Sequence, residues 1–338
     1  MKVAKVVLKD AEKMKSLLLE QGMLNCNFLP STDSEHIYFP LLEDELPDYV
    51  EIVEREMQAK QKKVTVDDLM SEFLSKEEMQ LIPRSQEMIG DILILEIPDQ
   101  LIYKEKEIAD AYLKSSHTAK VVVKKTAIHS GQFRTRGVEV LAGEDRKETT
   151  HLESGVRLFM NIEETYFSAR LGNERLRIAK LVKPNEEILV MFSGCAPYPL
   201  VLARHTEASK IVGIELNFQA HTFAIMNRDM SKEFYTRVPL INGDVRVEVP
   251  RLKEKFDRVL MPLPKTSEEF LDVALPVVKS GGIIHLYSFL NEKDIVNEGQ
   301  NILDLCEEMG FEVELINTVK CGQHAPYVFR VCYDIKVY

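Results

Sequence analysis

Short apolar runs alternate with amphipathic segments through the second half of the chain. Five of these runs predict buried parallel strands, because helical stretches separate them: residues 188–191, 210–215, 239–244, 256–264 and 281–288. Apolar residues recur at helical spacing in 270–275 and 302–309. Two β-rich runs, 311–319 and 327–338, predict a hairpin that adds an antiparallel edge strand. The pattern therefore predicts an α/β fold with a parallel sheet and a terminal antiparallel hairpin.

The first half of the chain predicts two smaller α+β units. In residues 1–62 the pattern predicts a strand, an amphipathic helix and further strands, and the polar run that follows predicts a linker: 3–8, 11–22, 37–41, 49–53 and 58–63. Residues 63–165 predict alternating helices and strands: helices 66–74 and 106–113, and strands 92–96 and 120–123. Residues 166–338 then form the third predicted domain.

Length and composition limit the number of domains and the class of protein. A chain of 338 residues suits two or three domains, and its hydrophobic content of 45% is ordinary for a globular protein. We expect no membrane partner, because no apolar run approaches the roughly 20 residues that a membrane span needs. The first ten residues are charged too early for a signal peptide, which predicts a cytoplasmic protein. Five scattered cysteines without a Cys-x-x-Cys pair predict neither a disulfide framework nor a metal site.

Charge leaves the question of a nucleic-acid partner open. The formal net charge is −11, but phosphate binding needs a local basic surface rather than a basic average. Residues 120–136 contain five basic residues and no acid: Lys120, Lys124, Lys125, Arg134 and Arg136. From charge alone, the ordinary interpretation is favoured, which is a solvated face of a strand and loop.

The turn after the first parallel strand is a candidate ligand site. Ser193 and Gly194 lie between the strand and a helix whose first turn tolerates Pro197 and Pro199. Backbone N–H groups at such a helix start, at the carboxyl edge of a sheet, can bind nucleotide-type ligands. Because the turn has one glycine where dinucleotide folds have three, a plain core strand remains an equal alternative. Glu215, about twenty residues further on, stands where an acid can accept hydrogen bonds from ribose hydroxyls.

Two further segments carry more polar chemistry than packing requires. Strand geometry would direct Arg134 and Arg136 to one face of the sheet. Arg170 and Glu174, spaced i and i+4, would share one helix face, where the ordinary interpretation is a surface ion pair of a few tenths of a kcal/mol.

Several motifs together resemble the archaeal and eukaryotic tRNA (guanine-37-N1)-methyltransferase family. The motifs are Phe133-Arg-Thr-Arg136, Leu141-Ala-Gly-Glu144, Tyr166-Phe-Ser-Ala-Arg-Leu-Gly-Asn-Glu-Arg175, Phe192-Ser-Gly-Cys-Ala-Pro-Tyr198 and Met261-Pro-Leu-Pro-Lys265. The resemblance implies a class I, Rossmann-like methyltransferase domain that binds S-adenosylmethionine and methylates N1 of guanosine 37. It also implies that the N-terminal domain inspects the tRNA elbow while the other two domains hold the anticodon arm. It implies no obligate protein partner, and we expect a monomer.

Site residues follow from the resemblance, motif by motif. Glu174 matches the general base that removes the N1 proton, and Arg134 matches the arginine that stabilises negative charge developing on the guanine O6. The positions that match cofactor contacts are Arg175, Phe192, Ser193, Gly194, Glu215, Leu216, Asp244, Val245 and Pro262. The positions that match tRNA or target-base contacts are Lys124, Lys125, Arg136, Tyr166, Arg170 and Pro264.

Two motifs depart from the family pattern. Most members have Asp-Met-Phe-x-Gly-x-Gly-Pro at the first turn, whereas this chain has Val190-Met-Phe-Ser-Gly-Cys-Ala-Pro197. The usual Asn-x-Pro-x after the fourth strand is Pro262-Leu-Pro-Lys265, which removes a side-chain amide. These changes resemble the branch that also methylates C7 of 4-demethylwyosine during wyosine biosynthesis, so we expect a second, bulkier substrate.

Two other functions remain as alternatives at this stage. A class I methyltransferase that acts on another RNA nucleotide or on protein would keep the strands and Glu215 but would not need the Arg134 and Glu174 pair. A non-catalytic RNA-binding protein with a degenerate cofactor pocket would explain the missing acid and glycine at the first turn.

Overall fold

A computed structural model describes residues 1–42, 49–60, 64–82, 86–126 and 135–338, and the chain divides into two units, Met1–Thr65 and Val66–Tyr338. The first unit is an antiparallel sheet with one helix: β1 (Lys2–Val7), α1 (Ala11–Glu20), β2 (Ser31–Thr32), β3 (His36–Pro40) and β4 (Glu51–Glu54). The strand order is β2-β3-β1-β4. Leu18 on α1 is fully buried against Ala4, Phe39 and Leu41, so apolar burial holds the helix on the sheet.

The second unit opens with a four-stranded sheet and three helices. Its elements are α2 (Val66–Met70), α3 (Lys76–Leu81), β5 (Glu87–Ile89), β6 (Ile92–Leu95), α4 (Glu105–Ser115), β7 (Val121–Lys125) and β8 (Val138–Gly143). The strand order is β5-β6-β7-β8, with β6 and β7 parallel. One face of α4 buries Ile108, Ala111 and Tyr112 in the core of this region. The predicted helix 66–74 ends at Met70, and a new helix begins after Ser75, whose side chain and that of Glu78 form a capping box.

A two-stranded hairpin, β9 (Glu148–Glu153) and β10 (Val156–Asn161), connects the two parts of the second unit. The backbone of Phe159 exchanges hydrogen bonds with the side chain of Asn227 in the C-terminal part. On the other side, the Gly90 N–H and the imidazole of His151 form a 3.1 Å hydrogen bond. Through these contacts the hairpin joins the four-stranded sheet to the C-terminal part of the second unit.

The C-terminal part is a seven-stranded sheet with helices on both faces. Its elements are α5 (Gly172–Leu181), β11 (Glu187–Met191), α6 (Pro197–His205), β12 (Lys210–Glu215), α7 (Phe218–Asp229), β13 (Leu240–Asn242), α8 (Val245–Leu252), β14 (Phe256–Met261), α9 (Leu271–Ala274), β15 (Val278–Asn291), α10 (Ile295–Glu308), β16 (Val313–Ala325) and β17 (Val328–Val337). The order is β13-β12-β11-β14-β15-β17-β16, with β13 to β15 parallel. The prediction of a parallel sheet closed by an antiparallel hairpin is confirmed. The last strand of that hairpin, β17, lies between β15 and β16.

Element boundaries differ from the prediction where polar residues or prolines interrupt the pattern. The helix predicted over 270–275 is a 3₁₀ turn, Ser267–Phe270, followed by the short α9, because Pro276 stops the helix. The strand predicted over 281–288 extends from Val278 to Asn291, since its pairing with β17 continues to the end. Among the described residues, no helix combines the length and the apolar character that crossing a membrane requires.

A chain of buried charged groups crosses this sheet. His285 on β15 lies opposite Asp334 on β17, and its Nδ1 is 2.6 Å from the Asp334 carboxylate. Arg258 on β14 lies 2.6 Å from His285 Nε2, and because a guanidinium can only donate, Nε2 accepts and Nδ1 carries the proton. Arg177 on α5 donates to both oxygens of Asp334 at 2.7 and 3.2 Å. Each charge in this chain therefore has a partner, as burial requires.

Two pKa shifts follow from this arrangement. Burial lowers the pKa of His285, and the neighbouring Arg258 acts in the same direction. Burial acts to raise the pKa of Asp334, but hydrogen bonds from His285 and Arg177 outweigh it and lower the pKa below its ordinary range.

We predict that His285 makes the protein less stable as the pH falls below about 6.5, where an unfolded histidine takes up a proton and the buried one does not. The unfolded state then binds more protons, so the free energy of unfolding decreases by up to about 1.4 kcal/mol per pH unit for this group. Urea titrations between pH 7.5 and 5 should show a smaller slope for His285→Gln. The matched control is His117→Gln, an exposed histidine, which should keep the wild-type slope. Equal slopes for wild type and His285→Gln would contradict this prediction.

Candidate functional site

The turn between β11 and α6 forms the base of the site. Three of its five residues have left-handed backbone conformations: Phe192 (φ 57°), Gly194 (φ 57°) and Ala196 (φ 66°). Such conformations cost non-glycine residues about 1–2 kcal/mol each, so surrounding contacts must hold the turn in place. Pro197 then occupies the first position of α6, where its missing N–H is tolerated. Cys195 points into the core, fully buried, and does not line the cavity described below.

Glu215, at the end of β12, holds this turn. Its carboxylate accepts the Gly194 N–H at 2.7 Å and the Asn217 N–H at 2.8 Å, one on each oxygen. Burial raises the pKa of Glu215, while the backbone hydrogen bonds act to lower it. Each oxygen keeps a second lone pair that can accept a hydroxyl group of a ligand.

A cavity of about 350 Å³ opens at the carboxyl ends of β11, β12, β13 and β14. Parallel α/β sheets bind ligands at this edge, and the volume falls in the usual range for a small-molecule site. All nine residues expected to contact the cofactor line the cavity: Arg175, Phe192, Ser193, Gly194, Glu215, Leu216, Asp244, Val245 and Pro262. Tyr166 and Pro264, expected near the target base, line it as well.

One wall of the cavity combines aromatic rings with a fixed carboxylate. The rings of Phe192 and Phe270 meet edge to face with centroids 4.9 Å apart, and the Arg246 guanidinium lies over Phe270. Asp244 caps α8, since its Oδ1 accepts the Arg246 N–H at 2.8 Å. This wall therefore offers apolar contact together with a positioned hydrogen-bond acceptor.

The opposite wall contains the buried guanidinium of Arg175. It donates to Glu153 at 2.6 Å and to the Ser168 carbonyl at 3.1 Å, and it lies 5.1 Å from the ring centroid of Phe167. Its Nε and Glu153 Oε1 are buried without a hydrogen-bond partner among the described residues. A buried unpartnered polar atom costs about 1–3 kcal/mol, so a ligand that pairs with Arg175 would remove this cost.

Arginine and aromatic side chains lie together beside Tyr166. Arg330 on β17 donates to the Tyr166 hydroxyl at 2.8 Å, and its guanidinium lies over the ring of Phe289. The Phe289 ring stacks on His324 with centroids 4.1 Å apart, and the Phe289 N–H donates to the Pro264 carbonyl. Planar groups of this kind can stack on a nucleobase.

Glu174 lies behind the cavity rather than in its lining. Its carboxylate is 4% exposed and accepts from Arg177 at 2.7 and 2.8 Å and from the Tyr287 hydroxyl at 2.7 Å. The interpretation of Arg170 and Glu174 as a pair on one helix face is wrong. Arg170 is exposed in a 3₁₀ turn, and α5 begins only at Gly172, which separates the two side chains.

The basic segment is only partly described. Arg134 lies outside the described residues, and Arg136 precedes β8 rather than occupying a strand. Three of the other basic groups pair with acids from neighbouring elements. Lys124 contacts Glu105 at 2.7 Å and Glu139 at 3.0 Å, Lys125 pairs with Glu96, and Arg136 is buried against Glu87 at 2.8 Å. These pairs neutralise part of the predicted basic face.

Sequence reasoning missed several residues that the structure places at or behind the cavity. They are Arg177, Tyr198, Asn217, Phe270, Tyr287, Arg330 and Asp334. A usable signal existed for Tyr287 and Asp334, because a polar group inside an apolar strand needs a buried partner. For Arg177 and Arg330 the sequence alone gave no comparable signal.

Family models match almost the whole chain in three consecutive segments. The model described as the TRM5/TYW2 methyltransferase domain matches residues 149–315. The model of the TYW2 N-terminal domain matches residues 66–146, and that of the tRNA methyltransferase 5 N-terminal domain matches residues 4–50.

Relatives and solved structures extend this similarity. The chain is 30% identical over 336 residues to the tRNA (guanine(37)-N(1))-methyltransferase Trm5b of Pyrococcus abyssi, covering 98% of each chain. The crystal structure of that enzyme has a TM-score of 0.78 at 29% identity and covers 100% of this chain and 99% of its own. The complex structure of aTrm5 and tRNALeu has a TM-score of 0.74 at 30% identity and covers 100% of both chains. The structure of Pyrococcus horikoshii TYW2 in complex with MeSAdo has a TM-score of 0.68 at 29% identity and covers 81% of this chain and 98% of that one.

We predict that Ala196→Gly stabilises the protein, because glycine adopts the left-handed conformation of this turn without steric strain. The expected gain in unfolding free energy is about 0.5–1 kcal/mol, measured by urea titration. Ala203→Gly, a buried helical position of α6, is the matched control and should lower stability by about 1 kcal/mol. Loss of stability in both variants would show that the turn is not strained at Ala196.

Proposed function

This chain belongs to the TRM5/TYW2 methyltransferase family, and we propose that it transfers the methyl group of S-adenosylmethionine to N1 of guanosine 37 in tRNA. The observation that carries the proposal is the cavity at the carboxyl edge of the sheet, where all nine expected cofactor positions converge. The similarity to Trm5b, which spans 98% of both chains, supports the choice of substrate.

The cavity suits S-adenosylmethionine in volume and in the placement of its charged groups. Glu215 would accept the ribose hydroxyls through its remaining lone pairs, and Asp244 would accept from the adenine amino group. Phe192 and Phe270 would pack against the apolar part of the ligand. Arg175 would meet the carboxylate of the methionine moiety, which gives its unpartnered Nε an acceptor.

The reaction needs a group that removes the N1 proton of guanine, because the ring nitrogen can attack the sulfonium methyl only with a free electron pair. We assign this role to Glu174, which matches the family motif and lies buried one side chain behind the cavity wall. Arg134 would stabilise the charge that develops on O6. Its role rests on the motif resemblance alone.

tRNA binding completes the proposal. Residues 1–62 would recognise the tRNA elbow, residues 63–165 would hold the anticodon arm, and residues 166–338 would catalyse the methyl transfer. The protein would act as a monomer. Tyr166 would lie next to the target base, with Pro264 on the same cavity wall. Lys124 and Lys125 each pair with a glutamate of this chain, so they would contact tRNA phosphates only after releasing these glutamates.

We predict that Glu174→Gln slows methyl transfer to a G37 transcript by roughly 10²- to 10⁴-fold, because the amide cannot accept the N1 proton. Single-turnover rates with radiolabelled cofactor would measure this loss, and calorimetry should show little change in cofactor binding. The matched control is Glu186→Gln, which also removes a carboxylate paired with an arginine, Arg258, but lies at the amino end of β11, whereas the cavity lies at the carboxyl end. A near-normal rate for Glu174→Gln would mean that the base is misassigned.

A second substrate is favoured by the Pro262-Leu-Pro-Lys265 sequence at the end of β14. Pro262 and Pro264 line the cavity, and Pro262 stands where the family pattern has an asparagine, so this chain lacks one side-chain amide there. A relative from Nanoarchaeum equitans, 30% identical over 67% of this chain and 90% of its own length, is named tRNA (guanine(37)-N(1))/4-demethylwyosine(37)-methyltransferase Taw22. We propose that the open wall also admits the tricyclic 4-demethylwyosine for methylation at C7.

We predict that the protein methylates two tRNA pools, one unmodified and one carrying 4-demethylwyosine at position 37. Mass spectrometry of the nucleosides should show N1-methylguanosine from the first pool and a tricycle heavier by one methyl group from the second. Pro262→Asn restores an amide and should reduce turnover of the tricycle relative to guanosine, whereas Pro262→Leu should change the ratio less. Absence of any methylated tricycle from the wild-type reaction would remove the second substrate and leave the first intact.

A further inference from the structure

Two tyrosines connect the buried Glu174 carboxylate to the cavity. The Tyr198 hydroxyl donates to the Tyr287 hydroxyl at 3.0 Å, and the Tyr287 hydroxyl donates to Glu174 Oε1 at 2.7 Å. Of these three residues, Tyr198 is the one that lines the cavity. All three residues are at most 4% exposed, so the chain lies almost entirely inside the protein.

The hydrogen bonds among these three side chains all run in one direction, from Tyr198 towards Glu174. A carboxylate has no proton to donate, so the Tyr287 hydrogen must point to Glu174. The Tyr287 oxygen is then an acceptor, and the Tyr198 hydrogen points to it. Both hydrogens therefore point away from the cavity and towards Glu174, which is the orientation needed to accept a proton at the Tyr198 oxygen and release one at the carboxylate.

On the basis of the proposed function, we infer that Tyr198 and Tyr287 relay the N1 proton of the target guanine to Glu174. The N1–H bond breaks and an O–H bond forms at Tyr198, which passes its own proton to Tyr287. Tyr287 passes its proton to Glu174 Oε1, so the carboxylate ends protonated and both tyrosines end neutral. The electron pair left on N1 forms the new N–CH₃ bond, and the electrons of the broken S–CH₃ bond remain on sulfur as a thioether.

The relay works without an ionised tyrosine. Burial raises the pKa of both the Tyr198 and the Tyr287 hydroxyl, and the nearby Glu174 acts in the same direction. Neither hydroxyl therefore persists as a tyrosinate at neutral pH, and each must gain a proton as it gives one away. A short, aligned chain of hydrogen bonds permits this concerted transfer.

The charged groups behind Glu174 remain balanced when it takes up the proton. Arg177 donates to Glu174 and also to both oxygens of Asp334. After Glu174 becomes neutral, Asp334 still pairs with the guanidinium, so no buried charge is left alone. Arg177 and Asp334 are positioning residues, because they hold Glu174 without meeting the substrate.

We predict that Tyr287→Phe, which removes one hydroxyl and keeps the ring, slows methyl transfer to G37 tRNA roughly 10²-fold at neutral pH. The defect should shrink towards wild-type rates at alkaline pH, because guanine then loses its N1 proton to solvent and needs no relay. Tyr198→Phe should behave in the same way. The double variant Tyr287→Phe/Glu174→Gln should be about as slow as the slower single variant, since both changes interrupt one path.

The matched control is Tyr333→Phe, another buried tyrosine of this sheet, whose hydroxyl donates to the Ile295 carbonyl. It should lower the stability, because the Ile295 carbonyl loses its hydrogen-bond donor, and keep the rate and its pH profile. A Tyr287→Phe defect that stays constant with pH, or a near-normal rate, overturns the relay while the wild-type reaction upholds the proposed function. Failure of the wild-type protein to form N1-methylguanosine would instead overturn the proposed function itself.

Discussion

The guanidinium of Arg177, held between the carboxylates of Glu174 and Asp334, is the contact on which the arrangement of the site depends. The two carboxylates are buried, and a buried charge costs several kcal/mol unless it is paired, so the three groups fix one another. Arg177 and Glu174 belong to α5, whereas Asp334 belongs to β17. One interaction therefore joins the helix that carries the proposed base to the strand that closes the sheet, and His285 and Arg258 extend the connection to β15 and β14.

The cofactor side of the site depends on a different constraint. Glu215 holds a turn in which Phe192 and Ala196 both adopt conformations that disfavour side chains. The carboxylate thus stabilises the turn while its remaining lone pairs face the cavity. The same residue explains why the site tolerates alanine where the family pattern has a second glycine. The backbone strain at Ala196 is offset by the hydrogen bonds of Glu215, at the end of β12.

Much of the fold could be predicted, because the parallel strands are short apolar runs, as in 188–191 and 210–215. Such a pattern depends on the local sequence and can be recognised without knowledge of the tertiary structure. The nine residues that line the cavity and were expected to contact the cofactor could be named from motifs, since eight of them lie at or just after strand ends and Arg175 belongs to the motif that begins α5. The surroundings of Glu174 could not be predicted. Its neighbour Tyr287 is 113 residues away along the chain, and Arg177 and Asp334 are 157 residues apart. The i and i+4 spacing suggested Arg170 as the partner of Glu174. In the folded protein, however, Glu174 is buried and Arg170 is exposed.

The position of β17 between β15 and β16 has a consequence for how the protein is made. The strands on either side are synthesised first, yet neither can complete its hydrogen bonds until β17 leaves the ribosome. Until then β15 is an open sheet edge, and Arg177 and His285 lack the Asp334 carboxylate that both contact in the folded protein. A nascent chain interrupted before residue 334 would therefore expose the edge of β15 and leave Arg177 without one of its two carboxylate partners. The sheet and the surroundings of Glu174 are therefore complete only after β17 has been synthesised.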